Sequence, residues 1–289
     1  MRLHQWAKNV LIFVPLILGG KSGSSAAWWM ALIGFLAMGF AASAAYIAND
    51  IRDIPHDREH RSKRARPLAS GQLSVTGGIT LAVVCAAIGF ALAAYAGPNA
   101  AIILALYIVM SLSYSFYCKL IPILDAFVLA SLFTLRLVMG IALTDVRLSV
   151  WLLIFSMFTF LSLSLAKRHT EVLSVTDGGS VAIAGRGYVR SDAPLILAIG
   201  VSAAMASVMV MILYLIQDAY PRDFYAHPGC LWALPALLFL FLGRIWLLSE
   251  RRELHDDPVA FAVKDRVSLL LGALTVLALA AALARFGAS

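Results

Sequence analysis

The segment Asn49 to Gly71, NDIRDIPHDREHRSKRARPLASG, carries the residue types suited to holding a metal ion and a polyanion together. Asp50, Asp53 and Asp57 stand at offsets of three and four, which places their carboxylates on one face of a helix. Carboxylates so placed repel one another unless a cation holds them. Hard ions such as Mg2+ take oxygen ligands and bridge carboxylates to substrate phosphates. Asn49, Asp50, Asp53 and Asp57 are therefore the expected ligands, and an ion held there would neutralise a diphosphate leaving group. The cations that follow, Arg58, Arg61, Lys63, Arg64 and Arg66, suit phosphate oxygens. The rival reading is a solvated juxtamembrane helix with ordinary acid–base pairs. The length of the pattern N-D-x-x-D-x-x-x-D, followed by K-R-x-R-P, argues against it.

Other chemistry-bearing residues are scattered along the chain. Tyr114 and Lys119, in SYSFYCK, place a phenol and an ammonium where they can hold a phosphate, although a lysine there also simply snorkels. Asp125 and Arg136 are ionisable groups in apolar sequence, which are costly and point to function by default. They are about three helical turns apart, so both can face a bundle interior. Asp125 is expected to join the metal or a sugar. For Arg136, a structural pair, for example with Asp145, is as open as a substrate role. Lys167, Arg168 and Glu171 form another charged group, with i,i+4 helix support as the bland alternative. Arg186, Tyr188 and Arg190 follow, beside a lone Asp177. Lys8 and Gln5 lie near the start, where a juxtamembrane lysine is read as a headgroup contact. Asp256, Asp257, Asp265 and Arg266 are loop structure or a lid. The six histidines and Cys85, Cys118 and Cys230 match no metal or redox spacing.

The elements that position these groups are membrane helices. The chain is 61% hydrophobic and 13% charged, against about 45–50% and 25% in soluble domains. Nine apolar stretches approach the roughly 20 residues of a spanning helix: about 9–21, 26–48, 77–96, 99–117, 122–142, 149–167, 193–216, 229–248 and 267–286. With the N-terminus inside, only Lys21, Arg147, Arg222 and Arg285 fall outside and Arg136 within a span. The rest of the 23 lysines and arginines face the cytoplasm, as the positive-inside rule requires. That asymmetry accounts for the net charge of +7 without nucleic acid. The basic start, MRLHQWAKN, has no small-residue cleavage site, so no cleaved signal peptide is expected. No linker or internal repeat is evident, and residues 1–289 read as one transmembrane domain.

The aspartate-rich segment resembles the first motif of the UbiA superfamily of intramembrane prenyltransferases. RLHQWAKNVLIFVPL, YSFYCKLIPILD, FLSLSLAKRHTE, GRGYVRSD and HDDPVAFAVKDRVS are similar to its decaprenyl-phosphate phosphoribosyltransferase branch. The resemblance implies an all-α membrane protein, a nine-transmembrane-helix bundle with a cytoplasm-facing central cavity, in a bacterial inner membrane. It also implies Mg2+ as cofactor. The implied reaction moves 5-phosphoribose from phosphoribosyl diphosphate (PRPP) to a polyprenyl phosphate, with release of diphosphate, toward arabinofuranosyl lipid donors. Asp50, Asp53, Asp57 and Lys119 would be catalytic. Lys8, Arg58, Lys63, Arg64, Arg66, Tyr114, Asp125, Lys167, Arg168, Glu171, Arg186 and Tyr188 would bind substrates. The implied partners are PRPP, the lipid phosphate and the bilayer, with a homo-oligomer as a further option. Two departures stand out. Arg61 replaces a proline common in relatives. Residues 168–192 lack the second D-x-x-x-D pair of prenyl-diphosphate users and carry cations instead. The alternative function is prenyl transfer from a prenyl diphosphate to an aromatic or other small acceptor. A transporter or scaffold would require the aspartates to be incidental.

Overall fold

The computed structural model describes residues 3–59, 63–174, 185–221, 225–254 and 258–284. Its α-helices are α1 (Val14–Leu18), α2 (Ser25–Arg52), α3 (Ile54–Glu59), α4 (Val75–Ala96), α5 (Pro98–Phe116), α6 (Leu124–Thr144), α7 (Val150–Leu173), α8 (Ala193–Tyr214), α9 (Ala233–Glu250), α10 (Pro258–Ala262) and α11 (Arg266–Leu283). Among the described residues, eight helices are long and apolar enough to cross a membrane. Local signals set their starts. Ser24, Ser74, Ser149 and Asp265 accept the N–H of Ala27, Gly77, Leu152 and Ser268 respectively, which caps α2, α4, α7 and α11. Pro98 begins α5 where a missing N–H costs nothing.

The chain falls into two compact units, Met1–Cys118 with Leu135–Arg147, and Lys119–Thr134 with Leu148–Ser289; α6 contributes a part to each. In the first unit α2 packs on α4, α5 and the N-terminal segment. Ala41, Ala42, Ser43 and Ala44 are buried, and a Cβ on Gly89 would lie 3.0 Å from the Ala37 carbonyl. Small residues thus bring two backbones together, as is usual where lipid supplies no hydrophobic drive. The N-terminal segment is a 3-10 helix, Leu3–Phe13, continuing into α1. It is fastened by Trp6 Nε1 to Ser43 Oγ (3.1 Å) and Asn9 Nδ2 to Phe35 O (3.4 Å). Its backbone lies so close to Gly140 that a Cβ there would come within 2.1 Å of Ile12 O.

The second unit is built on α7, α8 and α9. Trp246 Nε1 donates to Ser162 Oγ (2.9 Å), which donates to Gly200 O (2.8 Å). Gly200 has no side chain because the Trp246 ring occupies that space. Nearer the helix ends, Ser249 Oγ donates to Ala166 O (2.8 Å) and accepts from Thr170 Oγ1 (2.9 Å). Among the described residues, eight of the nine expected spans are helices long and apolar enough to cross a membrane; the first, about 9–21, is instead the 3-10 segment with the five-residue α1, and one helix end also differs. α7 continues to Leu173 rather than ending near residue 167, so Lys167, Arg168 and Glu171 project from ordered helix.

Candidate functional site

The aspartate motif begins on the last turn of α2. At 28 residues that helix is about 42 Å long, more than the roughly 30 Å hydrocarbon core, so its final turns reach the polar zone. The three aspartates do not share one continuous helix as expected. α2 ends at its C-cap Asp53, whose φ of −86° and ψ of 3° leave the helical region. α3 restarts at Ile54 with Pro55 in its first turn, where proline is tolerated. The bend brings Asp57 round, buried and 3% exposed.

Charges then pair within the motif. Arg66 Nη1 donates to Asp57 Oδ2 at 2.6 Å and to Asp50 Oδ1 at 3.3 Å. Asn49 Nδ2 donates to Asp53 Oδ2 at 2.9 Å. The returning loop is held by Arg58 Nε on Ala69 O (3.2 Å), by Ser70 N on Arg66 O (2.8 Å) and by the buried Leu68 and Ala69. Arg58 and Arg64 are exposed. The side chain of Lys63, Arg61 itself, and Asp177, Asp256 and Asp257 lie outside the described residues.

Among the described residues, no three His, Cys, Asp or Glu side chains are gathered as metal ligands. The donor set still fits a hard ion. Two carboxylate oxygens, of Asp50 and Asp57, already converge on one positive point, Arg66 Nη1, and a hard ion completes such a pair with substrate phosphates.

Two residues unremarked in sequence hold this unit. Arg52 Nη1 donates to Ser115 O, an orphan carbonyl at the end of α5, and its guanidinium lies 4.9 Å from the Phe116 ring centre. Arg52 thereby ties the end of α2 to the helix that carries Tyr114. Asn9 Oδ1 accepts from buried Arg136 Nε (2.8 Å), while Arg136 Nη2 donates to Tyr107 Oη (3.0 Å). The sequence signals were a cation within the aspartate motif and a polar residue in an apolar segment. Lys8 is half-buried in the Leu3–Phe13 helix.

The second unit has its own charged cluster. Asp125, fully buried, accepts from Arg168 Nε (2.7 Å), Arg186 Nη1 (3.4 Å), Tyr188 Oη and Ala126 N (2.7 Å). Both Asp125 oxygens are therefore engaged by protein groups. Glu171 Oε2 accepts from Arg168 Nη1 and pairs with Arg186 Nε (3.4 Å). Tyr188 Oη also accepts the Ile123 N–H (2.7 Å). That bond secures a left-handed φ of 67° that a β-branched residue rarely adopts. Burial, and next the bond to Asp125, push the Tyr188 phenol above its ordinary pKa, so it remains a donor at neutral pH. Gly187 sits against Leu120 O with room for no Cβ. Asp125, Arg168, Glu171, Arg186 and Tyr188 are thus brought together. Lys119, half-buried, lies in the short helix Cys118–Leu120, and Lys167 is half-buried on α7. Of the C-terminal acidic group, Asp265 caps α11 and pairs with Arg244 at 2.9 Å.

The model of the UbiA prenyltransferase family matches residues 10–264, through both units. The chain belongs to the UbiA prenyltransferase family. Solved UbiA structures share the fold. A UbiA homolog from Archaeoglobus fulgidus bound to GPP and Mg2+ superposes with a TM-score of 0.72, covering 97% of this chain and 95% of that one at 15% identity. An apo UbiA homolog from Aeropyrum pernix gives 0.64 at 19% identity, with 96% and 98% covered. Among family relatives, uncharacterized protein y4nM of Sinorhizobium fredii is 43% identical over 95% of this chain, which spans 53% of that protein's length. Nodulation protein NoeC of Azorhizobium caulinodans is 31% identical, with 93% and 87% covered. The decaprenyl-phosphate phosphoribosyltransferase of Mycobacterium tuberculosis is 29% identical, with 98% and 93% covered.

Proposed function

We propose that this UbiA-family enzyme transfers 5-phosphoribose from PRPP to a polyprenyl phosphate and releases diphosphate. The observation that carries the reading is the chemistry of the second cluster. Where users of a prenyl diphosphate are expected to carry a second aspartate pair, this sequence carries Lys167 and Arg186, both half-buried, beside a buried Arg168 that pairs with Asp125 and Glu171. Cations there suit substrates that bring additional phosphate groups. Likeness across nearly the whole chain to a decaprenyl-phosphate phosphoribosyltransferase supports the same substrates.

Asn49, Asp50, Asp53 and Asp57 would hold Mg2+, which when bound neutralises charge on the departing diphosphate. Arg58, Arg64 and Arg66 would orient the donor's phosphates, with Lys63 beside them in sequence. Tyr114, Lys119 or Lys8 would receive the lipid phosphate. Asp125, Glu171 and Tyr188 would act by fixing the angle of Arg168 and Arg186. The attacking lipid phosphate is already anionic at neutral pH, so these residues need to position and stabilise rather than abstract a proton.

The finer architecture belongs to the same proposal: one domain over 1–289 in a bacterial inner membrane, with its chemistry on the cytoplasmic side. Its ninth crossing would be the N-terminal segment. Eleven 3-10 residues at about 2.0 Å each and five α residues at about 1.5 Å each reach about 30 Å. That is the thickness of the hydrocarbon core, from a stretch too short to cross as α-helix.

The test is incubation of membranes carrying the protein with labelled PRPP, Mg2+ and polyprenyl phosphate. Label should enter the lipid fraction, and Asp50→Ala should abolish this while the folded protein remains. Prenyl transfer to a small acceptor is the second reading, because a fold neighbour binds GPP and Mg2+. Lipid left unlabelled, together with prenylation of an aromatic acid, would overturn the first reading in favour of the second.

A further inference from the structure

The first cluster pairs charges around Arg66. Arg66 Nη1 reaches Asp57 Oδ2 at 2.6 Å and Asp50 Oδ1 at 3.3 Å, and so occupies the point at which those oxygens converge. Its guanidinium is one-quarter exposed, whereas the Asp57 carboxylate beneath it is 4% exposed. Its backbone is fixed separately. Ser70 N bonds Arg66 O, Leu73 N bonds Pro67 O at 2.9 Å, and Arg58 ties the loop to α3 through Ala69 O. A long side chain on an anchored loop can swing without the loop unfolding. A guanidinium and a divalent cation repel strongly at such separations, so they cannot share the same two oxygens. A displaced guanidinium has a planar fork that matches phosphate oxygens.

We propose that Arg66 is an exchangeable internal counter-ion: it holds Asp50 and Asp57 in the resting protein, yields them to a divalent cation, and turns its fork to the diphosphate that the cation brings. This rests on reading the first cluster as a metal–diphosphate site, but on neither the sugar nor the lipid. Three consequences follow. The resting protein binds metal weakly, because metal must displace Arg66. Metal and diphosphate bind cooperatively, because the displaced arginine is a ligand for the second. The acidic cluster also stays neutralised between turnovers, so it neither collapses nor traps stray cations.

The test uses purified full-length protein without donor, with Mn2+ as the metal probe followed by electron paramagnetic resonance. Arg66→Gln should bind Mn2+ about tenfold tighter than the wild type, within the usual range of coupling between sites. At saturating Mn2+ it should hold labelled inorganic diphosphate about tenfold more weakly. Arg251→Gln removes an exposed charge at the end of α9, in the other unit, and should leave both constants within about twofold of the wild type. A second readout needs no variant. In the wild type, Mn2+ should raise modification of Arg66 by phenylglyoxal, scored by mass spectrometry, and added diphosphate should suppress it. Unchanged or weaker Mn2+ binding in Arg66→Gln overturns the proposal. So does equal tightening in Arg251→Gln, or Arg66 reactivity indifferent to metal. A negative lipid-labelling assay with PRPP leaves these outcomes unaffected, so the two readings fail separately.

Discussion

Arg168 illustrates how a residue can sit in a functional region and act through its neighbours. It is 2% exposed, and its fork divides between Asp125 and Glu171. Asp125 in turn gathers Tyr188, and Tyr188 holds the strained Ile123 backbone. Breaking a buried pair by removing one member costs about 3–5 kcal/mol, because the other charge is left buried, whereas removing both can cost far less. Arg168→Met should therefore lower the thermal unfolding temperature of the detergent-purified protein substantially. The double variant Arg168→Met with Asp125→Leu should recover a measurable part of the loss. A single variant that melts with the wild type would show that the pair bears no load. The residue types of this cluster were legible in sequence. Their assignments were not, because spacing along a helix cannot show that a loop tyrosine 63 positions away donates to the aspartate. Asp125 looked like a metal or sugar ligand for that reason.

At the scale of elements, the apolar stretches forecast where helices lie, since length and hydropathy alone decide what can cross a bilayer. The ends were harder. Asp53 closes α2 because Pro55 favours a fresh start, which divides the aspartate motif between two helices. α7 outran its apolar stretch because buried partners wait for Arg168 and for His169, whose Nδ1 meets Ser249 Oγ at 3.1 Å. In sequence GRGYVRSD carries a family likeness and no geometry. In three dimensions Gly185 takes a φ of 73° and Gly187 abuts the Leu120 carbonyl. The start of α11 is a case where an element's attachment can be titrated. Its cap Asp265 bonds Arg244 of α9, and chiefly through that bond its pKa falls from 3.8 to about 2. A carboxylate depressed in the folded state contributes stability above its unfolded pKa and loses it as pH falls through its folded one. The melting difference between the wild type and Asp265→Asn should therefore be full at pH 5 and above, and should shrink as pH falls from about 4 toward 2. A difference independent of pH across that window would show that the Arg244 bond does not fasten α11.

At the scale of the whole molecule, the distribution of charge makes the strongest claim that sequence alone supports, because insertion sorts cations by side. The structure adds a physical route for the stretch that the sequence placed at roughly 9–21. Asn9, Trp6 and the Gly140 contact bind that stretch into the first unit, and its 3-10 geometry lengthens it. If it crosses, the N-terminus and the aspartate motif share the cytoplasmic side, and the turn before α2 lies opposite. Single cysteines in a background without Cys85, Cys118 and Cys230 can decide this. Ser22 and Ser70 are both exposed loop residues suited to labelling. In intact cells an impermeant maleimide should label Ser22→Cys and spare Ser70→Cys until the membrane is permeabilised. An N-terminal epitope should follow Ser70. Were the epitope to be accessible from outside together with Ser22→Cys, the 3-10 segment would be an interfacial helix. The protein would then cross eight times rather than nine, with Lys8 on the side opposite the aspartates and unable to serve the same phosphate.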